Sequence, residues 1–314
     1  MTEPTQQSST FTRGHLAGYV ALCLIWGSTW LAIRWVVRDV PPLEAAALRF
    51  VIAGALLLGM AVAQRRPWPA DGAQWNALLI LSVSIMAVPY GLLFWAEQHV
   101  TSSMSAVLYS AMPLAVSLFT PIVTHQKVPR RAVFAMVIAF GGLLTLFYQD
   151  LSKTRQALIG GVAVLAAMLL SSWSVVFAKR RLHDVDAVVS TGLQLFLGSV
   201  GLFWGTWALE AHQHAVWTST AMLALAYLTI FGSAAAFVIY YWLLKKLQPY
   251  QLSSISLIIP LVALIAGLLD GEPVSWMMVV AIIAVLGSVR SVLVAEKQKD
   301  PDDGDVLMLR DRAQ

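Results

Sequence analysis

Two polar side chains lie inside segments that are otherwise long and apolar. Arg49 stands about seven residues into the segment 42–63, and Gln194 stands deep in the segment 186–209. A charge at this depth in a bilayer-length segment marks a candidate functional site. Arg49 has two interpretations: it attracts an anionic group such as a carboxylate, or it pairs with Glu44 or with helix-end carbonyl groups. We favour the second, structural role.

Two tryptophans also lie far from the ends of apolar segments, each among small polar residues. Trp26 is followed by Gly-Ser-Thr, and Trp173 is enclosed in the run Ser-Ser-Trp-Ser. A large ring with one N–H donor in such surroundings suits the wall of a cavity that stacks on a partly apolar solute. Filling of the protein core is the alternative that the sequence leaves open.

Two prolines interrupt apolar segments near their middle. Pro113 and Pro260 each lie about a dozen residues into a segment. Each removes the hydrogen bond to the carbonyl group four residues earlier, which belongs to Tyr109 or to Ser256. A free carbonyl group is costly in lipid, so each is expected to point to protein, water or a cavity. Broken helices that face a substrate cavity and tolerated kinks in packed helices both fit this pattern.

Long apolar segments must position these residues, and their composition indicates the class of protein. The 314-residue chain is 58% hydrophobic and 12% charged, with a mean hydropathy of +0.72. Most of such a chain must face lipid or other lipid-embedded helices. Ten segments have the length of about 20 residues that a bilayer crossing requires. They are residues 16–37, 42–63, 74–97, 101–124, 131–149, 157–178, 186–209, 217–243, 249–269 and 274–294.

The basic residues form short clusters between these segments. With ten spans and a cytoplasmic N-terminus, sixteen of the 21 Lys and Arg residues fall on the cytoplasmic side and four on the other. This asymmetry follows the positive-inside rule, and nine or eleven spans would place a cluster on the wrong side. The sequence has no basic patch with interleaved aromatic residues, so nothing in it indicates a nucleic-acid partner.

The two halves of the chain align at a constant offset of 147 residues, which pairs Trp26 with Trp173 and Pro113 with Pro260. Because each half has an odd number of spans, the second half is predicted to lie upside down relative to the first, as in many secondary transporters. The predicted fold is an all-α integral membrane protein with ten transmembrane helices in two inverted five-helix repeats. The predicted domains are a cytoplasmic N-terminal tail at 1–15, repeats at 16–149 and 157–294, and a disordered cytoplasmic C-terminal tail at 295–314.

Enzymatic, metal and cofactor chemistry have little basis in the sequence. The six histidines lie at span ends or in loops, away from the serines inside the spans, and the single Cys23 has no metal-ligand spacing. We therefore predict no enzyme, no cofactor and no metal. No Asp or Glu lies near the predicted midplane, so facilitated diffusion fits at least as well as proton coupling, for which His99 and Glu97 are the nearest candidates.

Several short motifs occur in an order that resembles the EamA-type branch of the drug/metabolite transporter superfamily. The resemblance covers the chain from about 16 to 294, and it rests on the order and spacing of the motifs rather than on any one of them. The motifs are Ile-Trp-Gly-Ser-Thr-Trp-Leu-Ala-Ile-Arg at 25–34, Pro-Pro at 41–42, Leu-Arg-Phe at 48–50, the aromatic stretch from Tyr90 to Trp95 followed by the Ser/Ala-rich run to Pro113, its counterpart from Tyr240 to Pro260, and Gly-Glu at 271–272.

The resemblance implies ten helices, cytoplasmic termini and a central cavity formed mainly by spans one, three, four, six, eight and nine. It also implies export of amino acids, related metabolites or toxic compounds. One departure is visible: this chain has His-Gln-Lys at 125–127 where the family commonly has a glutamate, whereas Glu272 is kept in the second repeat. The positions that match the family's cavity are Trp26, Tyr90, Tyr109, Trp173, Tyr241 and Ser256.

Together these observations predict a secondary transporter of the bacterial inner membrane. It would export a small amphipathic metabolite, such as an amino acid, by alternating access around a central cavity. Its partners would be that small-molecule substrate and the lipid bilayer. The alternatives are a multidrug or toxic-compound efflux carrier and, in a different class, a membrane-embedded enzyme. A channel is disfavoured because no charged ring or Gly-rich filter loop is present.

Overall fold

A computed structural model describes residues 13–125, 128–131, 133–138, 140–141 and 154–269. The described residues form helices and connecting turns, with no β-strand among them, which confirms the predicted all-α class. Most of the predicted fifth span, all of the tenth, most of the N-terminal tail and all of the C-terminal tail lie outside the described residues. The helices are α1 Arg13–Val37, α2 Pro42–Ala63, α3 Gly72–Ala96, α4 Ser102–Tyr109, α5 Met112–Thr124, α6 Arg155–Arg181, α7 Ala187–Leu209, α8 Ser219–Lys246, α9 Pro249–Ser253 and α10 Ile255–Leu269.

Seven helical stretches in the described part of the chain are long and apolar enough to cross a membrane. They are α1, α2, α3, the stretch Met104–Thr124 that combines most of α4 with α5, α6, α7 and α8. Many large apolar side chains on these helices are exposed, including Leu223 and Trp207. Outward-facing apolar surface of this extent suits contact with lipid.

Equivalent helices of the two halves carry the same local irregularity. In α3 the residues Ser82–Ala87 are π-helical, and in α8 the residues Leu228–Ala235 are π-helical. The first segment, shifted by 147 residues, falls within the second. The N-terminal caps repeat as well, since Asp71 Oδ1 accepts from Gln74 N at the start of α3 and Thr218 Oγ1 accepts from Ala221 N at the start of α8.

The equivalent helices α2 and α7 pack against each other in antiparallel directions. At one end the carboxylate of Glu210, just after α7, accepts hydrogen bonds from Leu43 N and Glu44 N, and so caps the first turn of α2. At the other end Arg66 donates to Asp186, at 2.9 Å, beside the first residue of α7. Each helix is therefore tied at both ends to the opposite half of the chain.

The remaining packing follows the same two-fold pattern. Helix α1 packs on α10, and its equivalent α6 packs on α5. Helix α3 packs on α6, and its equivalent α8 packs on α1. The two halves thus interlock around a shared centre, where the broken pairs α4–α5 and α9–α10 meet α1, α3, α6 and α8.

Candidate functional site

A cavity lies at this shared centre, and the space between its walls, including the part open to solvent, is about 760 Å³. All of the interlocked helices α1, α3, α6 and α8 contribute to its wall, as do α2 and the two broken helices. The wall is mainly apolar with a few polar groups, as the walls of small-molecule sites usually are. Its aromatic side chains are Trp26, Trp30, Tyr90, Tyr109, Phe237 and Tyr240.

Arg49 contributes the charged group of this wall. Its side chain comes from α2 and is only 1% exposed. Its Nε donates to Ser233 Oγ at 2.6 Å and its Nη2 donates to Gly232 O at 3.0 Å, both in the π-helical segment of α8. Its Nη1 has no hydrogen-bond partner among the described residues. The guanidinium group is therefore fixed by α8 on one side and has free donor capacity on another.

The π-helical segment of α8 provides the acceptors that hold the side chain of Arg49. The carbonyl oxygen of Gly232 accepts from both Arg49 Nη2 and Trp26 Nε1, the latter at 3.3 Å. A π-helical turn shifts the backbone carbonyl groups out of the regular α-helical pattern, and such turns are frequent at functional sites. A Cβ atom at Gly232 would lie 2.8 Å from Thr29 Cγ2 and 3.2 Å from Arg49 Nη2. A glycine is required here because any larger residue would push against both neighbours.

Aromatic rings surround the guanidinium group of Arg49. Its Cζ atom lies 5.4 Å from the ring centroids of Phe50 and Tyr90 and 5.9 Å from that of Phe94. Distances of this order allow cation–π attraction, which is strongest where water is excluded. The rings stabilise the charge without neutralising it.

Two further polar groups of the wall lack a regular hydrogen bond. The hydroxyl groups of Tyr240 and Ser171 are buried and make no hydrogen bond of regular geometry to the described residues, although that of Ser171 lies close to the hydroxyl group of Tyr109. Buried polar groups are nearly always hydrogen-bonded in folded proteins. Two exceptions to this rule in one cavity wall indicate a place for water or for a polar solute.

The two broken helices reach the cavity differently. Pro113 is the second residue of α5 and follows the turn at Ser110 and Ala111 that separates α4 from α5. Pro260 lies inside α10, and the second break occurs six residues earlier, at Ser254. Neither proline lines the cavity, although both are buried.

A sequence profile described as the EamA-like transporter family matches residues 13–148 and 158–294. The chain belongs to the EamA-like transporter family. The resemblance inferred from the sequence motifs is thereby confirmed, and the long apolar helices are those of a multi-pass membrane protein.

Curated relatives of this EamA-like transporter cover most of its length. The protein named Uncharacterized transporter YoaV, from Bacillus subtilis, is 29% identical over 81% of this chain and 88% of its own. Uncharacterized inner membrane transporter YedA, from Escherichia coli, is 28% identical over 81% of this chain and 82% of its own. Protein PagO, from Salmonella typhimurium, is 24% identical over 78% and 81%. A crystal structure with 19% identity shares the fold, with a TM-score of 0.73 over 92% of this chain and all of the other.

Five of the residues predicted from the sequence come together in the cavity wall of this EamA-like transporter. They come from five different helices, and two of them, Tyr109 and Ser256, are the positions four residues before the prolines. Their shared location agrees with a substrate cavity, although their roles stay predictions. These residues are Trp26, Arg49, Tyr90, Tyr109 and Ser256.

Three other predicted residues lie away from the wall. Trp173 stacks on Phe177, with 5.0 Å between ring centroids. Gln194 bridges two helices, because its Nε2 donates to Ser190 Oγ at 2.9 Å and its Oε1 accepts from Tyr241 OH at 2.6 Å. In the conformation seen here these three side chains make contacts within the protein, and their role as ligands of a substrate stays a prediction.

The repeat itself carries the signal for the wall residues that the motifs do not indicate. An offset of 147 residues from Tyr90 leads to Phe237, and the same offset from Leu93 leads to Tyr240. All four side chains line the cavity. Trp30 also lines it, one helical turn after Trp26. Ser171 has no such signal, since its equivalent is Leu24, which is exposed.

Proposed function

We propose that this EamA-like transporter moves a small amphipathic metabolite across the membrane by alternating access around the central cavity. The observation that supports this most directly is that equivalent residues of the two repeats contribute to the same cavity wall. Equivalent positions of the two repeats line a single cavity: Tyr90 and Phe237, whose ring centroids lie 6.1 Å apart, and Tyr109 and Ser256. A site at the interface of two repeats opens to either side when the repeats rock against each other.

The proposal includes ten transmembrane helices in two inverted repeats, with both termini in the cytoplasm. The antiparallel packing of the equivalent helices α2 and α7 supports inversion, because a parallel duplication would give them the same direction. Labelling of single cysteines tests it directly. In a Cys23→Ser background, Ala70→Cys and His214→Cys lie in exposed loops at corresponding places of the two repeats. Inversion requires that they react from opposite sides of the membrane, and reaction from the same side would refute it.

Contacts at the N-terminal end of the cavity-lining helix α1 indicate which state the structure represents. At the N-terminal end Tyr19 OH and Ser254 Oγ share a hydrogen bond of 2.7 Å, two helical turns before Trp26. Nearby, Lys245 Nζ donates to Val185 O at 2.6 Å, and Lys179 Nζ donates to Leu247 O at 3.0 Å. The contact of Tyr19 with Ser254 joins the two repeats, and the two lysine contacts hold α6, α7 and the end of α8 together within the second repeat. Under the proposed orientation this is the cytoplasmic end, and the Tyr19–Ser254 contact closes it on the side of α1.

Counterflow into proteoliposomes tests the transport activity. The purified protein would be given a panel of radiolabelled amino acids and related metabolites, with and without a pH gradient. Tyr90→Ala is expected to reduce flux at least tenfold, because it removes a ring that lines the cavity and contacts Arg49. Trp204→Ala is the matched control, since its ring is 69% exposed on the lipid-facing side. Unchanged flux in Tyr90→Ala, with normal insertion, would remove the cavity from the transport path.

The main alternative is efflux of toxic or multidrug compounds, which the aromatic wall alone would suit. A cationic drug would have to enter a cavity whose wall carries the guanidinium group of Arg49. Flux of hydrophobic cations in the same vesicles, in the absence of metabolite flux, would establish this alternative. The export direction would follow from faster release from cells that express the protein than from cells that do not.

A further inference from the structure

The charge balance of the cavity wall indicates the kind of group that it binds. Arg49 is the sole charged side chain in this wall, and the part of the wall that the structure describes includes no Asp, Glu or His. No acidic group among the described residues pairs with it. A buried charge without a counter-ion is costly, and a partner of opposite sign removes much of that cost.

The guanidinium group is also held in a fixed position before any anion binds. Its Nε and Nη2 are bound to Ser233 and Gly232, and three aromatic rings restrict it further. Nη1 is buried and has no hydrogen-bond partner among the described residues, and Arg49 belongs to the cavity wall. Charge-assisted hydrogen bonds from arginine to carboxylates are among the stronger polar interactions in proteins. Because the donor is already held in place, a ligand loses little of this energy to ordering.

We propose that the cavity recognises its substrate through a carboxylate group bound to Nη1 of Arg49. The proposal rests on the transport function proposed above and names the substrate class of that site. The apolar body of the substrate lies against the aromatic wall, and Tyr240 OH and Ser171 Oγ are available to a further polar group. An ammonium group has no acidic partner in this wall, so a simple monocarboxylate is bound at least as well as the corresponding amino acid.

A matched ligand series tests the proposal on the wild-type protein alone. Isothermal titration calorimetry in detergent would compare 3-phenylpropionate, 3-phenylpropanamide, 3-phenylpropylamine and phenylalanine. The carboxylate is expected to bind at least tenfold more tightly than its amide and its amine, and phenylalanine no more tightly than 3-phenylpropionate. Equal affinity for 3-phenylpropionate and its amide would overturn the proposal. A tenfold preference for phenylalanine over 3-phenylpropionate would also overturn it.

Substitution of the arginine then assigns the preference to one residue. In Arg49→Met the ratio of affinities for 3-phenylpropionate and its amide is expected to fall to within twofold of one. Arg66→Met is the matched control, because Arg66 pairs with Asp186 away from the cavity, and it should keep the wild-type ratio. Persistence of the ratio in Arg49→Met would refute the assignment. If Arg49→Met does not fold, Arg49→Lys serves instead, since it keeps the charge and loses the fixed fork, and its ratio should fall by at least threefold.

The same measurements separate this proposal from the transport function. Binding of 3-phenylpropionate with the expected selectivity, in vesicles that show no flux of any carboxylate, would leave the anion site intact and refute transport. Flux without any preference for carboxylates over amides would leave transport intact and refute the anion site.

Discussion

The equivalent helices α1 and α6 carry the same kind of aromatic pair and use it in two ways. On α1, Trp26 and Trp30 both line the cavity. On α6, the equivalent Trp173 and Phe177 stack on each other, with 16° between their planes, and neither lines the cavity. The aromatic pair of α1 and α6 therefore lines the cavity in one repeat only, whereas the broken helices share two equivalent pairs of wall residues, Tyr109 with Ser256 and Met112 with Ile259. Under alternating access, such an asymmetry is expected to reverse when the protein opens to the other side.

The aromatic rings of the cavity wall have different neighbours in the two repeats. Trp26 lies against Tyr240, at 5.2 Å, and against Phe237, at 5.6 Å. Tyr90, the equivalent of Phe237, lies against Arg49 and Phe50 instead, at 5.4 Å and 4.8 Å. Arg49 has Phe196 as its equivalent, so the charge occurs in one repeat only. The ring of Tyr90 thus has a cation beside it that the equivalent ring of Phe237 lacks in the second repeat.

Replacement of the two equivalent tryptophans is expected to give the largest effect. Trp26→Ala should weaken the apparent affinity for the transported solute by about thirtyfold, the loss typical of an aromatic anchor. Trp173→Ala should leave that affinity within twofold and lower the maximal rate, because its ring is outside the wall in this state. Counterflow rates at several solute concentrations measure both quantities. Equal losses of affinity in the two variants would contradict the comparison.

A second asymmetry lies beyond the far end of the cavity. Glu97 follows the last residue of α3 and is buried, one helical turn beyond the wall residue Leu93. Its Oε2 accepts from Ser102 Oγ at 2.9 Å, and its Oε1 has no partner among the described residues. Its equivalent in the second repeat is Leu244, which is buried as well. One repeat therefore carries an ionisable group where the other carries a hydrocarbon.

Burial raises the pKa of Glu97 to about 7, from an ordinary value near 4.5. The folded state then holds a proton that the unfolded state releases, so stability is greatest below about pH 4.5 and falls as the pH rises towards 7. The slope is at most about 1.4 kcal/mol for each pH unit. Glu97→Gln should remove this part of the slope.

Thermal midpoints of the wild type and of Glu97→Gln in detergent, between pH 5 and pH 8, measure the difference. All other ionisable groups are common to both proteins, so only the difference between the two curves reports on Glu97. Parallel curves would show that the carboxyl group is not the titrating group. Leu244→Val is a control for packing at the equivalent position, and its curve should run parallel to that of the wild type.

The sequence predicts much of the fold and part of the site. Length and hydropathy are sufficient for the seven spans found among the described residues, because lipid demands long apolar helices. Three aromatic residues chosen from the motifs, Trp26, Tyr90 and Tyr109, lie in the cavity wall. The side to which an aromatic ring turns is a property of tertiary packing, which is why Trp173 and Tyr241 face elsewhere.

Two features of the site have no signature in the local sequence. The π-helical segments contain no residue type that is specific to this backbone, and they become visible only as backbone geometry. The contact of Arg49 with Ser233 joins residues that are 184 positions apart. The sequence allows two interpretations of Arg49: pairing with Glu44 or with helix-end carbonyl groups, and binding of an anion. In the structure Nε and Nη2 bind Ser233 and Gly232 inside α8 instead of Glu44 or a helix end. The anion-binding role stays a proposal.

The two π-helical segments give the last and smallest expected effect. The position equivalent to Gly232 in the first repeat is Ile85, so only the second repeat needs a glycine there. Gly232→Ala places a methyl group 2.8 Å from Thr29 Cγ2, and such overpacking costs about 1–3 kcal/mol. Alanine regains about 1 kcal/mol of helix propensity, so the net loss of stability should be about 1 kcal/mol. In Gly59→Ala, where the added Cβ would meet nothing within 4 Å, stability should rise instead. Thermal midpoints that shift in the same direction for both variants would show that the close approach of α8 to α1 and Arg49 is not under steric constraint.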